Sequence, residues 1–154
     1  MENLDSFDLK ILRELQNNAD LSMQDLGERV GLSHTPCWRR IKRLEKQGII
    51  KRKVTLLDAE QLNLSVNVFV QVSLRHHREN ALNRFEDAVL DVDEIVECYT
   101  VSGEKDFLLR VVVADVTAYE HLLKHTLVHL PEVGNLSSTF ALRQVKYTTK
   151  LPLH

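Results

Sequence analysis

The residues of this 154-residue chain that could do chemistry lie mainly in two short stretches. Residues 33–53 carry eight basic side chains (Arg39, Arg40, Lys42, Arg43, Lys46, Lys51, Arg52, Lys53) and one acidic, Glu45, for a net charge of +7. Residues 1–32 hold three basic and seven acidic side chains, net −4, and residues 54–154 nine and fourteen, net −5, so the overall −2 is a sum of opposites. A positive segment between acidic flanks suits a polyanion-binding face. The second stretch is Ser102-Gly103-Glu104-Lys105-Asp106. A glycine there lets the backbone approach a ligand closely and a carboxylate can pair an ammonium group, the two charges of an α-amino acid being complementary to such a site. The same residues also suit a polar β-hairpin turn.

Other chemistries find less support. His121, His125 and His129 stand four apart, a spacing that can hold a metal on one helix face. No Glu-x-x-His pattern accompanies them and no third or fourth ligand is assigned, so a polar or subunit-contact face is expected and no metal. His76 and His77 stand elsewhere. Cys37 and Cys98 are far apart without a CxxC pair, which argues against a disulfide framework or a structural zinc site, and both read as small buried hydrophobes. No Ser-His-Asp order, nucleophile elbow or Walker motif is present, so no catalytic residue and no cofactor are expected.

The elements that must position these residues follow from periodicity. Phe7, Ile11, Leu12 and Leu15 recur at helical spacing after Asp5 or Ser6 as N-cap, with Asn17-Asn18 as a stop. Ser22 opens a second helix, with Asp25 as a weaker capping-box partner, and Gly31 ends it. A third helix is expected from Thr35 as N-cap and Pro36 as first helical residue to Gly48. On a wheel, Cys37, Ile41 and Leu44 share one face, Arg39, Lys42, Arg43 and Lys46 lie opposite, and Trp38 and Arg40 fall on the borders. Together these make a helix-turn-helix, winged or plain.

Ile49 to Leu57 favours a strand, and residues 58–62 one helical turn of a linker. Val66, Val68, Val70, Val72 and Leu74 then alternate without a break, predicting a strand with one buried face. A helix around Leu82–Val89, strands Ile95–Val101 and Phe107–Val113, a helix through Tyr119, Leu122, Leu123, Leu127 and Leu130, and an extended run Leu136–Tyr147 complete the order βαββαβ. The fold class is thus α+β: a helix-turn-helix domain over residues 1–50, a strand and linker over 51–65, and a ferredoxin-like (ACT-like) plait over 66–154 for ligand sensing and oligomerisation. Both helices of such a plait cover one sheet face, so the other is expected to pack against a second chain.

With 44% apolar and 27% charged residues, the composition is that of an ordinary globular protein. No apolar run approaches the ~20 residues of a membrane span and the N-terminus lacks signal-peptide order, so a cytoplasmic protein without a membrane partner is expected.

The motifs resemble the leucine-responsive and asparagine-type regulators, the Lrp/AsnC or feast/famine family. They are Leu4-Asp5-Ser6-Phe7-Asp8-Leu9-Lys10-Ile11-Leu12, the stretch from Leu32 to Glu45, Gly48-Ile49-Ile50, and Val101 to Leu109 with its glycine, acidic residue and Asp-aromatic pair. The tail Lys146–Leu153 looks like a subgroup that often governs amino-acid catabolism. The resemblance implies a nucleoid-associated transcriptional regulator of amino-acid metabolism that binds double-stranded DNA, assembles as a homo-oligomer with the dimer as unit and an octamer as the family habit, and answers allosterically to a small amino acid. In the DNA reading, His34, Thr35 and Trp38 meet bases or sugars and Arg39, Lys42 and Arg43 guanine or phosphate. Arg40 and Lys46 support them, and Ser22 and Gln24 bond a phosphate. By resemblance, the backbone around Ser102, Gly103 and Glu104 receives the effector carboxylate and Asp106 its amine, with Ser137, Ser138 or Thr139 reaching in from a neighbouring chain. A sirohaem-decarboxylase-like enzyme on the same two-domain frame is the alternative; it leaves the +7 segment unexplained.

Overall fold

The computed structural model describes residues 4–76 and 78–153; Met1 to Asn3, His154 and His77 of the paired histidines lie outside the described residues. The chain forms two compact units, one of residues up to Leu56 together with those from Lys146, the other Leu57–Val145.

The first unit is built on α1 (Ser6–Asn17), α2 (Met23–Val30) and α3 (His34–Lys46). Asp5 is the α1 N-cap and closes a full capping box: its carboxylate accepts from the Phe7 and Asp8 N–H groups, and Asp8 accepts from the Asp5 N–H. Ser22 caps α2 by accepting from the Asp25 N–H, while its hydroxyl bonds the Asp25 carboxylate, so the return bond of a box is absent. Helix α3 starts earlier than expected: Ser33, not Thr35, is its N-cap, and Pro36 is the third helical residue. Pro is tolerated there because the whole first turn has N–H groups without intrahelical partners. Gly48, at φ +72, ends the helix as expected, and the Ile49 and Ile50 N–H groups return to the Leu44 carbonyl.

Ile11, Leu26, Cys37 and Leu44 are fully buried in the core of this unit. The expected strand over Ile49–Leu57 does not form: residues 51–58 take no regular structure, because a strand needs a ladder partner and none of the described residues pairs with them. The tail, expected in the second domain, packs on the first, with Leu153 against its core and the Gln16 side-chain amide exchanging two hydrogen bonds with the Leu151 backbone.

In the second unit, β1 (Val66–Leu74), β2 (Ile95–Thr100), β3 (Phe107–Val113) and β4 (Val133–Phe140) form an antiparallel sheet in the order β2-β3-β1-β4, with α4 (Glu79–Leu90) and α5 (Val116–His125) in the expected βαββαβ order. Val68, Val70 and Val72 are fully buried with Leu109, Val111 and Phe85. Helix α5 stops at His125, and Leu127–His129 is a separate 3-10 turn; strand β4 begins at Val133 and ends at Phe140, seven residues before the expected Tyr147.

Candidate nucleic-acid interface and effector loop

The helix-turn-helix geometry depends on a close backbone approach. A Cβ on Gly27 would stand 2.6 Å from the Leu32 carbonyl oxygen, whose own N–H bonds the Gly27 carbonyl at 2.9 Å. Gly31 turns the chain at φ +76, a conformation that favours glycine. Helix α3 buries Cys37, Ile41 and Leu44 and thereby presents His34, Thr35, Trp38, Arg39, Lys42, Arg43 and Lys46 on its exposed side, with Ser22 and Gln24 exposed at the start of α2. Trp38 is 47% exposed, a large aromatic left in water.

The cations on this face are held unequally. Asp8 is fully buried, and its carboxylate accepts from Arg40 at 2.8 Å and Arg43 at 2.5 Å. Arg40 also donates to Asp5 at 2.6 Å, and its guanidinium lies over the Phe7 ring. The Asp8 N–H bond, then the Arg40 bond, hold the Asp5 carboxyl below its ordinary range, and Asp5 followed by Asp8 raises the Arg40 guanidinium. Lys42 pairs with Glu45 at 2.7 Å. Among the described residues Arg39 and Lys46 make no ion pair, and neither do His34 and Trp38. Helical spacing brings these side chains to the exposed side of α3, whereas the pairing with Asp5 and Asp8 has no signal in the sequence beyond the acidic residues of the α1 cap.

The β2–β3 connection holds the second candidate site. Ser102, Gly103 and Glu104 are exposed, and Gly103 adopts φ +121 with nothing within 4 Å of a Cβ position. Asp106 is half-buried: its carboxylate accepts from the Leu74 N–H at 2.7 Å, its N–H donates to the Val72 carbonyl at 2.9 Å, and its carbonyl accepts from the Val101 N–H at 3.0 Å. It therefore ties the loop to the end of β1. On β4, Ser137 and Thr139 register with Gln71 and Phe69 on the sheet face away from the helices, whereas Ser138 sits opposite the buried Val70 and bonds the Tyr119 hydroxyl. The three expected β4 residues thus point to two different faces. Surface clefts of about 400 and 440 Å³ lie elsewhere, the first lined by Asp91, Glu94 and His121 among others, the second by Asn80, Asn83, Arg84 and Asp87.

The His121 and His125 rings lie 4.4 Å apart, but His129 belongs to the 3-10 turn, so the three do not share one helix face. Among the described residues no group of three or more His, Cys, Asp or Glu could hold a metal. Cys37 is buried as expected; Cys98 is exposed, because β2 is an edge strand.

Comparison with known proteins bears on both sites. Residues 67–151 match the Lrp/AsnC ligand binding domain and residues 4–51 the winged helix-turn-helix DNA-binding family. The chain is 41% identical over 150 residues to the DNA-binding transcriptional activator DecR of Escherichia coli (strain K12), covering 97% of this chain and 99% of that protein. It is 43% identical over 150 residues to the leucine-responsive regulatory protein of Haemophilus influenzae, covering 97% and 90%. The crystal structure of a transcriptional regulator–L-Met complex from Neisseria meningitidis superposes with a TM-score of 0.93 at 39% identity, covering 98% of this chain and 97% of the other. These relatives are regulators, and the enzyme reading is set aside. With a helix-turn-helix at one end, the ligand-binding plait at the other and matches over nearly its whole length, the chain belongs to the Lrp/AsnC family of DNA-binding transcriptional regulators.

Proposed function

We propose that α3 enters the major groove of double-stranded DNA with Trp38, Arg39, His34 and Thr35 nearest the bases, Lys42 and Lys46 serving the phosphates, Arg40 and Arg43 beside them held in ion pairs with Asp5 and Asp8, and Ser22 and Gln24 binding backbone at the start of α2. The observation that carries this reading is the exposed Trp38–Arg39 pair on a helix whose opposite face is fully buried. The plait senses a small amino acid at Ser102, Gly103, Glu104 and Asp106, as a relative captured with L-Met supports. Its β4 contribution, Ser137 and Thr139 on the open face with Ser138 turned inward, comes from a neighbouring chain. That open face leaves Phe69 38% and Tyr99 55% exposed, and a second copy covers it, giving a homo-oligomer with the dimer as unit and an octamer as the assembled form. Effector binding shifts the assembly and with it the DNA affinity, through differential binding to its states. Among the described residues no helix is long and apolar enough to cross a membrane, which agrees with a cytoplasmic, nucleoid-associated protein acting on genes of amino-acid metabolism.

The test is fluorescence anisotropy of labelled DNA from the protein's own upstream region across a salt series, with and without a mixed amino-acid pool. Expected is an affinity whose logarithm falls steeply with log salt and which the pool alters. Binding indifferent to every amino acid removes the sensor; no binding to any duplex at low salt overturns the reading.

A further inference from the structure

Two of the basic residues on the recognition helix are already neutralised by α1, and the way this is done differs between the two carboxylates. Asp8 is buried to 1% side-chain exposure and seats both Arg40 and Arg43, so it belongs to the packing of the unit. Asp5 stands 49% exposed, and its pairing with Arg40 duplicates a contact that Asp8 already makes. Nor does its helix cap require the charge: the Phe7 and Asp8 N–H groups are satisfied by one carboxylate oxygen, and Asn is an equal N-cap. Asp5 Oδ2 is therefore engaged with Arg40 and spare for both cap and core.

We infer that Asp5 is a charge gate on the DNA-binding face: by holding Arg40 it keeps the sequence-independent attraction for phosphate low. The inference rests on the DNA reading above. With Asp5 ionised, Asp5, Asp8, Arg40 and Arg43 sum to no net charge; without it the cluster carries one positive charge, at the border of the exposed side of α3. Phosphate contacts supply essentially all non-specific binding, so a gate of this kind acts most on DNA lacking the operator sequence. It also explains why a cation at the rim of the recognition surface is 24% exposed yet twice paired.

The experiment compares the full-length wild-type chain with Asp5→Asn by anisotropy over a salt series, on a random-sequence duplex and on the upstream duplex, with a thermal melt of each protein. One further neutralised phosphate steepens the slope of log affinity against log salt by about 0.9, which at ~0.1 M salt is roughly eightfold in affinity. The expected result is that gain on the random duplex, a smaller proportional gain on the upstream duplex, an almost unchanged melting temperature, and the same slope for Arg40→Ala as for the double variant Asp5→Asn/Arg40→Ala. A slope equal to or shallower than wild type overturns the gate and leaves Asp5 a helix cap only. A gain of the double variant over Arg40→Ala alone overturns it too, because it then comes from removing a repulsive carboxylate and not from releasing Arg40. Failure of the wild type to bind either duplex at low salt overturns the DNA reading and the gate with it, an outcome distinct from binding with equal slopes.

Discussion

Helix α3 and the β2–β3 loop both present charge at a surface, and they hold it in opposite ways. On α3 the anchored groups are cations, drawn to the Asp5 and Asp8 carboxylates of another helix, while Arg39 and Trp38 beside them are left exposed. In the loop the anchored group is the anion: Asp106 is bound to the Leu74 backbone, and the exposed positions are Ser102, Gly103 and Glu104. A rigid helix can offer side chains directly, because its backbone is satisfied internally. A loop that receives a small ligand offers its backbone, and so needs a fastening that fixes where that backbone lies. Asp106 is thus first a fastener, tying the loop to the end of β1.

The largest effect should come from breaking the fastening of the head. Asp8→Ala removes the buried partner of two arginines and the return bond of the capping box, and should cost about 2 to 3 kcal/mol in urea unfolding, somewhat below the ~3–5 of a fully buried pair because Arg43 is 44% exposed. Loss under about 1 kcal/mol would mean that the arginines find water as readily as Asp8, and the contrast between the two regions would disappear.

Two glycines sharpen the same comparison. Gly27→Ala drives a methyl into the Leu32 backbone carbonyl at 2.6 Å and should destabilise by about 2 kcal/mol with weaker DNA binding, since the turn between α2 and α3 must open. Gly103→Ala meets nothing within 4 Å but must hold φ +121, which should cost about 1 kcal/mol and fall on amino-acid binding, leaving DNA affinity without effector unchanged. The first is a packing requirement and the second a conformational one; equal effects of both on DNA binding would refute the division of labour. Smaller still is Asp106→Asn, whose amide oxygen can go on accepting from the Leu74 N–H while the negative charge is lost. About 0.5 kcal/mol of stability is the expected cost in denaturant. Calorimetry with the amino-acid pool then separates the roles: binding that is retained makes Asp106 purely a fastener, and binding that is lost while the fold is kept restores it as a direct partner of the amine.

Much of this architecture was legible because burial repeats locally. The alternation from Val66 to Leu74 marked β1 to the residue, and the wheel of α3 separated Cys37, Ile41 and Leu44 from the basic face. The failures share a cause: a pattern persists where its partner does not. Leu127 and Leu130 continue the helical spacing past His125 because a 3-10 turn also brings residues three apart to one side. Val145 and Tyr147 continue an extended pattern beyond Phe140 yet stand 83% and 61% exposed, with no strand beside them among the described residues. Of the sites, the exposed residues were readable from type and spacing. The ion pairs of Asp8 with Arg40 and Arg43 span 32 and 35 residues, and the bond from Leu74 to Asp106 spans 32, distances at which no periodicity connects partners.

The two units should also part company in their response to pH, at opposite ends of the scale. Asp5 is held below its ordinary 3.8, first by the Asp8 N–H and then by Arg40, so the stability it lends is present above pH ~4 and is lost as the pH falls through its lower folded value. Tyr119 is pushed above its ordinary 10.0 by burial, with the bond to Ser138 opposing, so the folded plait keeps a proton that the unfolded chain releases. Its contribution is therefore complete below pH ~10 and declines as the pH rises toward the folded value. Trp38 is the only tryptophan and lies in the head, so its fluorescence follows that unit through an acid titration, while the methyl NMR signals of the buried β1 and β3 valines follow the sheet through an alkaline one. Asp5→Asn should flatten the acid limb seen at Trp38 and leave the alkaline limb alone; Tyr119→Phe should do the reverse. Each substitution removes one titrating group while keeping its shape, so a crossed result, with Asp5→Asn changing the alkaline limb of the sheet, would mean that the two units do not unfold separately.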